Sequence, residues 1–439
     1  MPSKPGDRSI PPQSGEAVMV SATTASAGGL TRRYVRDRSW ERFGNVVLAG
    51  SPLTVFRATV AGGRVLDAIE RDEPVAASPL VDRLLETGSI HPVPEQPSTL
   101  SMDDVTVVTP QLGGVATVDG RIVVDDGSEP PLAGAQVRLD LNRGPAAARN
   151  AARPLVDTEL IAFVDADVDL LDDVGIGSWL DALLPHFDDP NVGLVAPRVT
   201  GEVGSPLDLG DQPARIRSGT RVSYVPAAAL VVRTAAFDAV GGFDEQLRFG
   251  EDVDLVWRLD QAGWRCRYEP SSAVWHDPRR TLIARIRQHA GYGSSAAPLA
   301  LRHPGQLSPV HSNGWTAGVW VAALGGHPAI ACGLAVSTAL RLAPKLPGVP
   351  AARSFRLAMT GHLRAGQQFA AAIRRVWWPI VVVGSLCSRR FRWAALASIA
   401  ASPSTTTTDV AYGWGVWAGM IRTRTINPLL PRWRPWPGR

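Results

Sequence analysis

Cysteine is scarce: three residues in 439, Cys266, Cys332 and Cys387, odd in number and far apart. That excludes a disulfide framework and a four-thiolate zinc site, and it points to a reducing compartment. No G-x-x-x-x-G-K-[ST] occurs, so there is no P-loop. No Cys and His have the spacing of zinc ligands. Gly291, Gly293 and Ala296 fit G-x-G-x-x-A, but a basic helix and not a strand precedes them, which argues against a dinucleotide fingerprint. Residues 1–34 lack the apolar stretch of a secretory signal; rich in Ser, Pro, Gly, Ala and Thr, they read as a flexible arm. At 45% hydrophobic and 20% charged, the chain is long and apolar enough for two or three domains, and wholesale disorder and collagen are excluded.

Acidic residues nearly vanish from the last third. From residue 302 onward 16 Lys+Arg face one acid, Asp409, a formal +15, while the preceding residues, with 29 basic and 40 acidic side chains, carry −11. A cationic tail with apolar stretches suits either nucleic acid or an anionic bilayer leaflet. Nine of the fourteen Trp lie there (Trp315, Trp320, Trp377, Trp378, Trp393, Trp414, Trp417, Trp433, Trp436), and no charge interrupts 303–340. Tryptophan prefers the headgroup level and a run such as 315–340 is long enough to span or dip into a bilayer, so a membrane is the expected partner and nucleic acid is not. The segments 376–388 and 410–421 are too short to span and read as interfacial or re-entrant. The alternative is a buried helical domain with a basic surface.

Between arm and tail the pattern changes twice. In 35–97 the apolar 46–48 form a strand, Gly50, Ser51 and Pro52 turn it, and Ser78 with Pro79 opens a helix. Leu80, Val81, Leu84 and Leu85 give that helix an apolar face, and Gly88 closes it. This small module resembles a winged helix; the plainer reading is a cap on the next domain. From 104 to 300 short apolar runs, at 105–108, 122–124, 160–164 and 192–196, end in polar or acidic residues, as buried parallel strands of an α/β sheet do. Ligands of such sheets sit beyond the carboxyl ends of the strands. Residues 301–439 form the apolar, basic, helical region.

Those strand ends carry the candidate chemistry. Asp125, Asp126, Gly127 and Ser128 follow one run, and Asp165, Ala166 and Asp167 another. Carboxylates at i and i+2 suit Mg²⁺ or Mn²⁺ holding a diphosphate, although an acidic turn continuing through Asp169, Asp172 and Asp173 can be merely solvated. Glu251 and Asp252 start a helix with Val253, Val256 and Leu259 on one face, where the dipole favours ionised carboxylates. That suits a base collecting a proton; helix capping is the other reading. His276, after Ala273, Val274 and Trp275, could complete a metal shell or be structural.

In this order the pieces resemble family-2 glycosyltransferases of the GT-A fold over about residues 104–300: the Asp125–Ser128 run, NRGPAAARN at 142–150, the Asp165 and Asp167 pair, GGFDE at 241–245, and Glu251 with Asp252. The wider arrangement is similar to the mycofactocin system glycosyltransferases, through VVLAGSPLTVFR at 46–57, LVAPR at 194–198, VSYVPAAALVVR at 222–233, GEDVDLVWRL at 250–259 and YGSSAAPL at 292–299. The resemblance implies a GT-A-like, Rossmann-like domain that moves a hexose, glucose by that family's pattern, from a nucleoside-diphosphate sugar such as UDP-glucose to a peptide-derived redox cofactor, with inversion, at the cytoplasmic face of the membrane. It implies Mg²⁺ or Mn²⁺ on Asp165 and Asp167 with His276, the nucleotide sugar on Asp125, Asp126, Arg149 and Asp165, the acceptor at Gly242, Phe243 and Asp244, and Asp252 with Glu251 as the catalytic carboxylates. The helix opened by 144–150 would offer N–H groups to the phosphates. Two departures stand out: 110–120 and 129–135 are too short or glycine-rich for the helices the family places there, and Q-x-x-R-W is absent, with a basic helix at 279–288 in its place. The alternatives are an inactive binding scaffold for biosynthetic partners, and a transferase acting on a polyprenol or cell-wall acceptor. Residues 35–97 also resemble peptide-recognition modules that add a leader segment to a sheet edge.

Overall fold

The structure, a computed structural model, describes residues 18–20, 31–94, 97–114, 120–170, 178–201, 205, 207–276 and 281–435. In the N-terminal module three strands, Glu41–Phe43, Val46–Ala49 and Thr54–Ala58, form an antiparallel meander, and Val18–Val20 pairs parallel to the last. Helices Val60–Glu70 and Pro79–Glu86 cover it. Their starts follow from local chemistry: the Thr59 hydroxyl accepts from the Gly62 N–H, the Ser78 hydroxyl from that of Val81, and Pro79 lacks the donor that would otherwise be orphaned. The apolar face predicted for the second helix is buried as expected, against Val47, Phe56 and Leu66. The module begins earlier than residue 35, because Thr31–Arg32 pairs with Val75–Ala76 and Tyr34–Arg36 with Ile90–Pro92. The rest of the expected arm, 1–17 and 21–30, lies outside the described residues.

The central sheet has nine strands. Val137–Arg138, Ile122–Asp125, Val105–Gln111 and Leu160–Val164 run parallel in that spatial order; Ala229–Arg233 follows antiparallel; Val192–Thr200 and Arg265–His276 are parallel to each other; and Val168–Asp169 and Ala214–Ile216 pair antiparallel with Arg265–His276. The sheet is thus mixed and not wholly parallel. A strand covered on both faces reads as a continuous apolar run whichever way it points, so composition could not give its direction. One face packs Phe163, Phe237, Leu255 and Trp257, the other Leu160, Ala162, Leu180 and Phe187. Among the described residues no helix follows Val105–Gln111 or Ile122–Asp125, in keeping with the short segments there; 115–119 lie outside them.

The C-terminal region is helical, with corrections to the expected spans. Residues 315–340 are not one helix: Gly326 at φ +82° and Pro328 break the run into Gly314–Leu324 and Pro328–Leu342, which pack on each other. Conversely, 376–388 is not an isolated short piece. It ends a continuous helical stretch, Ala351–Cys387, which passes through a π-helical segment at Ile373–Trp377. Among the described residues this is the one helix long and apolar enough to cross a membrane by length and composition. The basic helix expected over 279–288 runs Leu282–Ser294, and 410–421 lies within Thr406–Thr423. Asp172, Asp173, Asp277 and Trp436 lie outside the described residues.

The module touches both other parts. Arg265 of the central sheet reaches Glu86 at 2.8 Å and Asp82 at 3.2 Å, and the Arg221 N–H donates to the Ser51 hydroxyl at 2.7 Å. On its other side Val46 and Leu48 pack with Val349, and Glu41 pairs with Arg353.

Candidate active site

At the end of Ile122–Asp125 the chain turns on Gly127, whose φ is +76° and whose added Cβ would lie 2.5 Å from the Asn142 nitrogen. Asp125 holds this turn, accepting from the N–H groups of Ser128 at 2.8 Å and Leu132 at 3.1 Å and pairing with Arg138. Burial opposes its ionisation, but those bonds outweigh it and hold the carboxyl at about 2. Asp126 accepts from the N–H groups of Arg143 at 2.7 Å and Gly144 at 2.9 Å. The two acids expected on the nucleotide sugar thus hold the turn and the approach to the next helix. The start of helix Pro145–Ala151, expected to face phosphates, already has a carboxylate on its approach.

That short helix carries the centre of the site. Arg149, buried, donates to Asp165 at 2.6 Å, to Glu251 at 3.1 Å and to the Ala227 carbonyl at 3.3 Å, and its guanidinium lies 5.2 Å from the centre of the Phe243 ring. One cation thus ties the strand-end acid to the acid that starts the helix Glu251–Gln261. Burial raises the Asp165 carboxyl even against the pull of Arg149, and it raises Glu251 in the same way. Gly250 caps that helix with φ +78°, where a Cβ would stand 2.9 Å from Ser295 Oγ.

Asp252 overturns the expected electrostatics. The helix start was expected to favour its ionised form and lower its basicity; instead burial, then the neighbouring Glu251 charge, push it up to about 7. Desolvation outweighs the dipole, although Asp252 lies in the first turn, because the helix end carries only a fraction of a unit charge. Tyr224 feels Asp252, Tyr412 and Tyr292, and burial, then Asp252, push its phenol up to about 12. These tyrosines were not identified from the sequence; they sit on three distant segments and no local spacing links them.

The metal set is only partly assembled. The pairing of Val168 with His276 brings the imidazole beside Asp167, 3.5 Å from Oδ2, and this contact raises the His276 pKa. Asp165, however, is turned to Arg149, and among the described residues no three His, Cys, Asp or Glu side chains gather to hold an ion. The donor types, two hard carboxylates and an imidazole, do suit Mg²⁺ or Mn²⁺.

The expected acceptor residues are mostly occupied elsewhere. Phe243 is buried against Phe163 and Phe237, its N–H donating to Asn150 Oδ1 at 2.9 Å, so its side chain belongs to the core. Gly242 is there because a Cβ would meet that same Asn150 oxygen at 2.7 Å. Asp244 pairs with Arg302, and Glu245 with Arg143 at 2.6 Å. The GGFDE segment is thus held to Asn150, Arg143 and Arg302.

The family described as Glycosyltransferase like family 2 matches residues 211–291. The chain is 36% identical to the pre-mycofactocin glycosyltransferase of Mycobacterium tuberculosis over an alignment covering 89% of this chain and 95% of that protein. It is also 36% identical, over 27% of its length and 37% of the other's, to the N-acetylglucosaminyl-diphospho-decaprenol L-rhamnosyltransferase of the same species. Among solved structures it is similar to a mannosyltransferase from Pyrobaculum calidifontis in complex with GDP-Man and Mn²⁺, at 18% identity and TM-score 0.36, covering 69% of this chain and 86% of that one.

Proposed function

The chain belongs to the pre-mycofactocin glycosyltransferases, family-2 enzymes of the GT-A fold, and from that premise we propose that it transfers glucose from UDP-glucose to pre-mycofactocin, a peptide-derived acceptor, with inversion. The observation that carries this reading is the Asp165–Arg149–Glu251 bridge with Asp252 beside it, held up to about 7. The acceptor oxygen attacks the anomeric carbon from the face opposite the leaving group. Its proton passes to the Asp252 carboxylate, the new C–O bond forms, and the bond to the diphosphate breaks, so the nucleoside diphosphate leaves with the electron pair. A carboxyl near neutrality is matched to that proton transfer. Arg149 fixes Glu251 beside the base and maintains its charge between two acids. Asp167 and His276, with Asp165 released from Arg149, would hold a divalent cation, which would supply charge neutralisation to the departing diphosphate.

The basic, Trp-rich C-terminal region supports a place on the cytoplasmic leaflet. Val321, Leu324, Val382, Val383 and Leu386 are exposed apolar side chains on its helices, and arginines among them match anionic headgroups. The test is direct: purified protein given UDP-glucose, Mg²⁺ or Mn²⁺ and pre-mycofactocin should release UDP and form a product heavier by one hexose by mass spectrometry. No UDP release and no nucleotide binding would reject the enzymatic reading. Sedimentation with anionic vesicles tests the location, and a protein left wholly in the supernatant at low salt would refute it.

A further inference from the structure

A cavity of about 450 Å³ opens where the central domain meets the C-terminal helices, and none of the expected acceptor residues lines it. Its walls come from three parts of the sequence: Arg248 and Phe249, just before the Gly250 cap; Ser295 and Arg302; and Arg422 with Thr423, at the end of Thr406–Thr423. It adjoins the catalytic carboxylates, since Ser295 in its wall is the residue that a Cβ on Gly250 would strike, and Glu251 and Asp252 follow directly. Its charge is unbalanced. Arg302 is committed to Asp244, but Arg248 donates to the neutral Asn142 Oδ1 at 2.6 Å and Arg422 reaches the Ser294 carbonyl at 3.3 Å. Among the described residues neither pairs with a carboxylate. Two guanidinium forks with donors to spare, beside the partly exposed Phe249 ring, make a surface for a group that carries only acceptor oxygens next to an apolar body.

We propose that this cavity is the acceptor-binding subsite, and that Arg248 and Arg422 hold carbonyl oxygens of the peptide-derived acceptor, so that the C-terminal helix completes the active site. The proposal rests on the transferase reading above, whose acceptor carries amide carbonyls by virtue of its peptide origin. Each guanidinium would fix one end of the acceptor while its reacting hydroxyl faces Asp252. Arg422 stands at the carboxyl end of its helix, where a cation is favoured, so its placement costs the fold little.

The experiment uses the full chain in detergent. Calorimetric titration with pre-mycofactocin, and steady-state kinetics, compare the wild type with Arg248→Gln and Arg422→Gln. The expected result is an acceptor Kd and KM raised about tenfold or more in each variant, the loss of a hydrogen bond to a charged group, with the KM for UDP-glucose moved less than twofold. Arg422→Lys, keeping the charge, should recover part of the loss. If both Gln variants bind acceptor as the wild type does, or if donor and acceptor KM rise together, the subsite is wrong. Absence of acceptor binding by the wild type overturns it as well. Absence of UDP-glucose binding or turnover, with acceptor binding intact and arginine-dependent, rejects the transferase reading and leaves the subsite standing.

Discussion

At the scale of single residues the decisive quantity is the basicity of Asp252. A base must be ionised to accept a proton, and with its carboxyl held up to about 7 the ionised fraction falls about tenfold for each pH unit below that. The turnover efficiency should therefore rise with pH up to about 7 and level off above it. A limb near pH 4, the ordinary carboxylate range, would refute the assignment. Asp252→Asn should lower kcat by roughly a hundredfold or more with UDP-glucose binding retained. Stability has the opposite sign. A carboxyl whose pKa is higher folded than unfolded favours the fold at pH below its unfolded value, and that contribution is lost as pH rises through about 7. The Asn variant should accordingly raise Tm at about pH 8 relative to the wild type and change it little near pH 4. The sequence identified Asp252 because the helix start is a local pattern, but not its environment, since Tyr224, whose phenol feels Asp252 together with Tyr412 and Tyr292, lies on a segment that chain order does not connect to them.

Elements with local causes were legible: the Ser78-capped helix, the strand ends at Asp125 and Asp165, and the helix beginning at Glu251. The antiparallel Ala229–Arg233 and the break at Gly326 and Pro328 were not, the first because direction leaves no mark in a doubly buried strand, the second because an uncharged run was weighed by length over its Gly-Gly-His-Pro punctuation. Least visible was the seam between Leu282–Ser294 and Thr406–Thr423. A Cβ on Gly415 would come within 1.9 Å of the Ala290 carbonyl oxygen, one on Gly293 within 1.9 Å of that of Tyr412, and one on Gly419 within 2.7 Å of that of Ser294. The helices approach backbone to backbone, which only small residues permit. Gly415→Leu should force them apart, lower Tm by several degrees and reduce turnover by displacing Tyr412 and Arg422 together. Overpacking of a tight contact costs about 1–3 kcal/mol. Gly361→Ala, on an adjacent helix with nothing within 4 Å of the added carbon, is the control and should be neutral or slightly stabilising. Equal behaviour of the two variants, by calorimetry and UDP release, would mean that the seam is not structural.

For the whole molecule the question is whether the N-terminal module is a separable peptide-docking unit or part of one body. Its helix Pro79–Glu86 supplies Glu86 and Asp82 to Arg265, and Glu86 also stands 3.7 Å from Arg215. Behind them Arg267 is buried so deeply that desolvation, then Arg215, pull its guanidinium down to about 10. Three arginines thus crowd one end of the central sheet, and the module brings two of the acids that face them. Removing residues 1–97 would leave Asp189 and Asp260 to balance Arg215, Arg265 and Arg267, and would uncover the apolar contact of Val46 and Leu48 with Val349. Glu86 and Asp82 are more than a third exposed, so solvent screens each pair to about 1 kcal/mol or less; the heavier loss is that of cover, since Gly88 of the module packs on the buried Arg215. The fragment 98–439 should therefore aggregate or show no cooperative melting transition, and Glu86→Gln in the full chain should lower Tm without altering the KM for UDP-glucose. A fragment that melts cooperatively and still glycosylates pre-mycofactocin would instead make the module dispensable to the fold, and its sheet edge, at which Val18–Val20 pairs, would then become the place to look for a peptide partner.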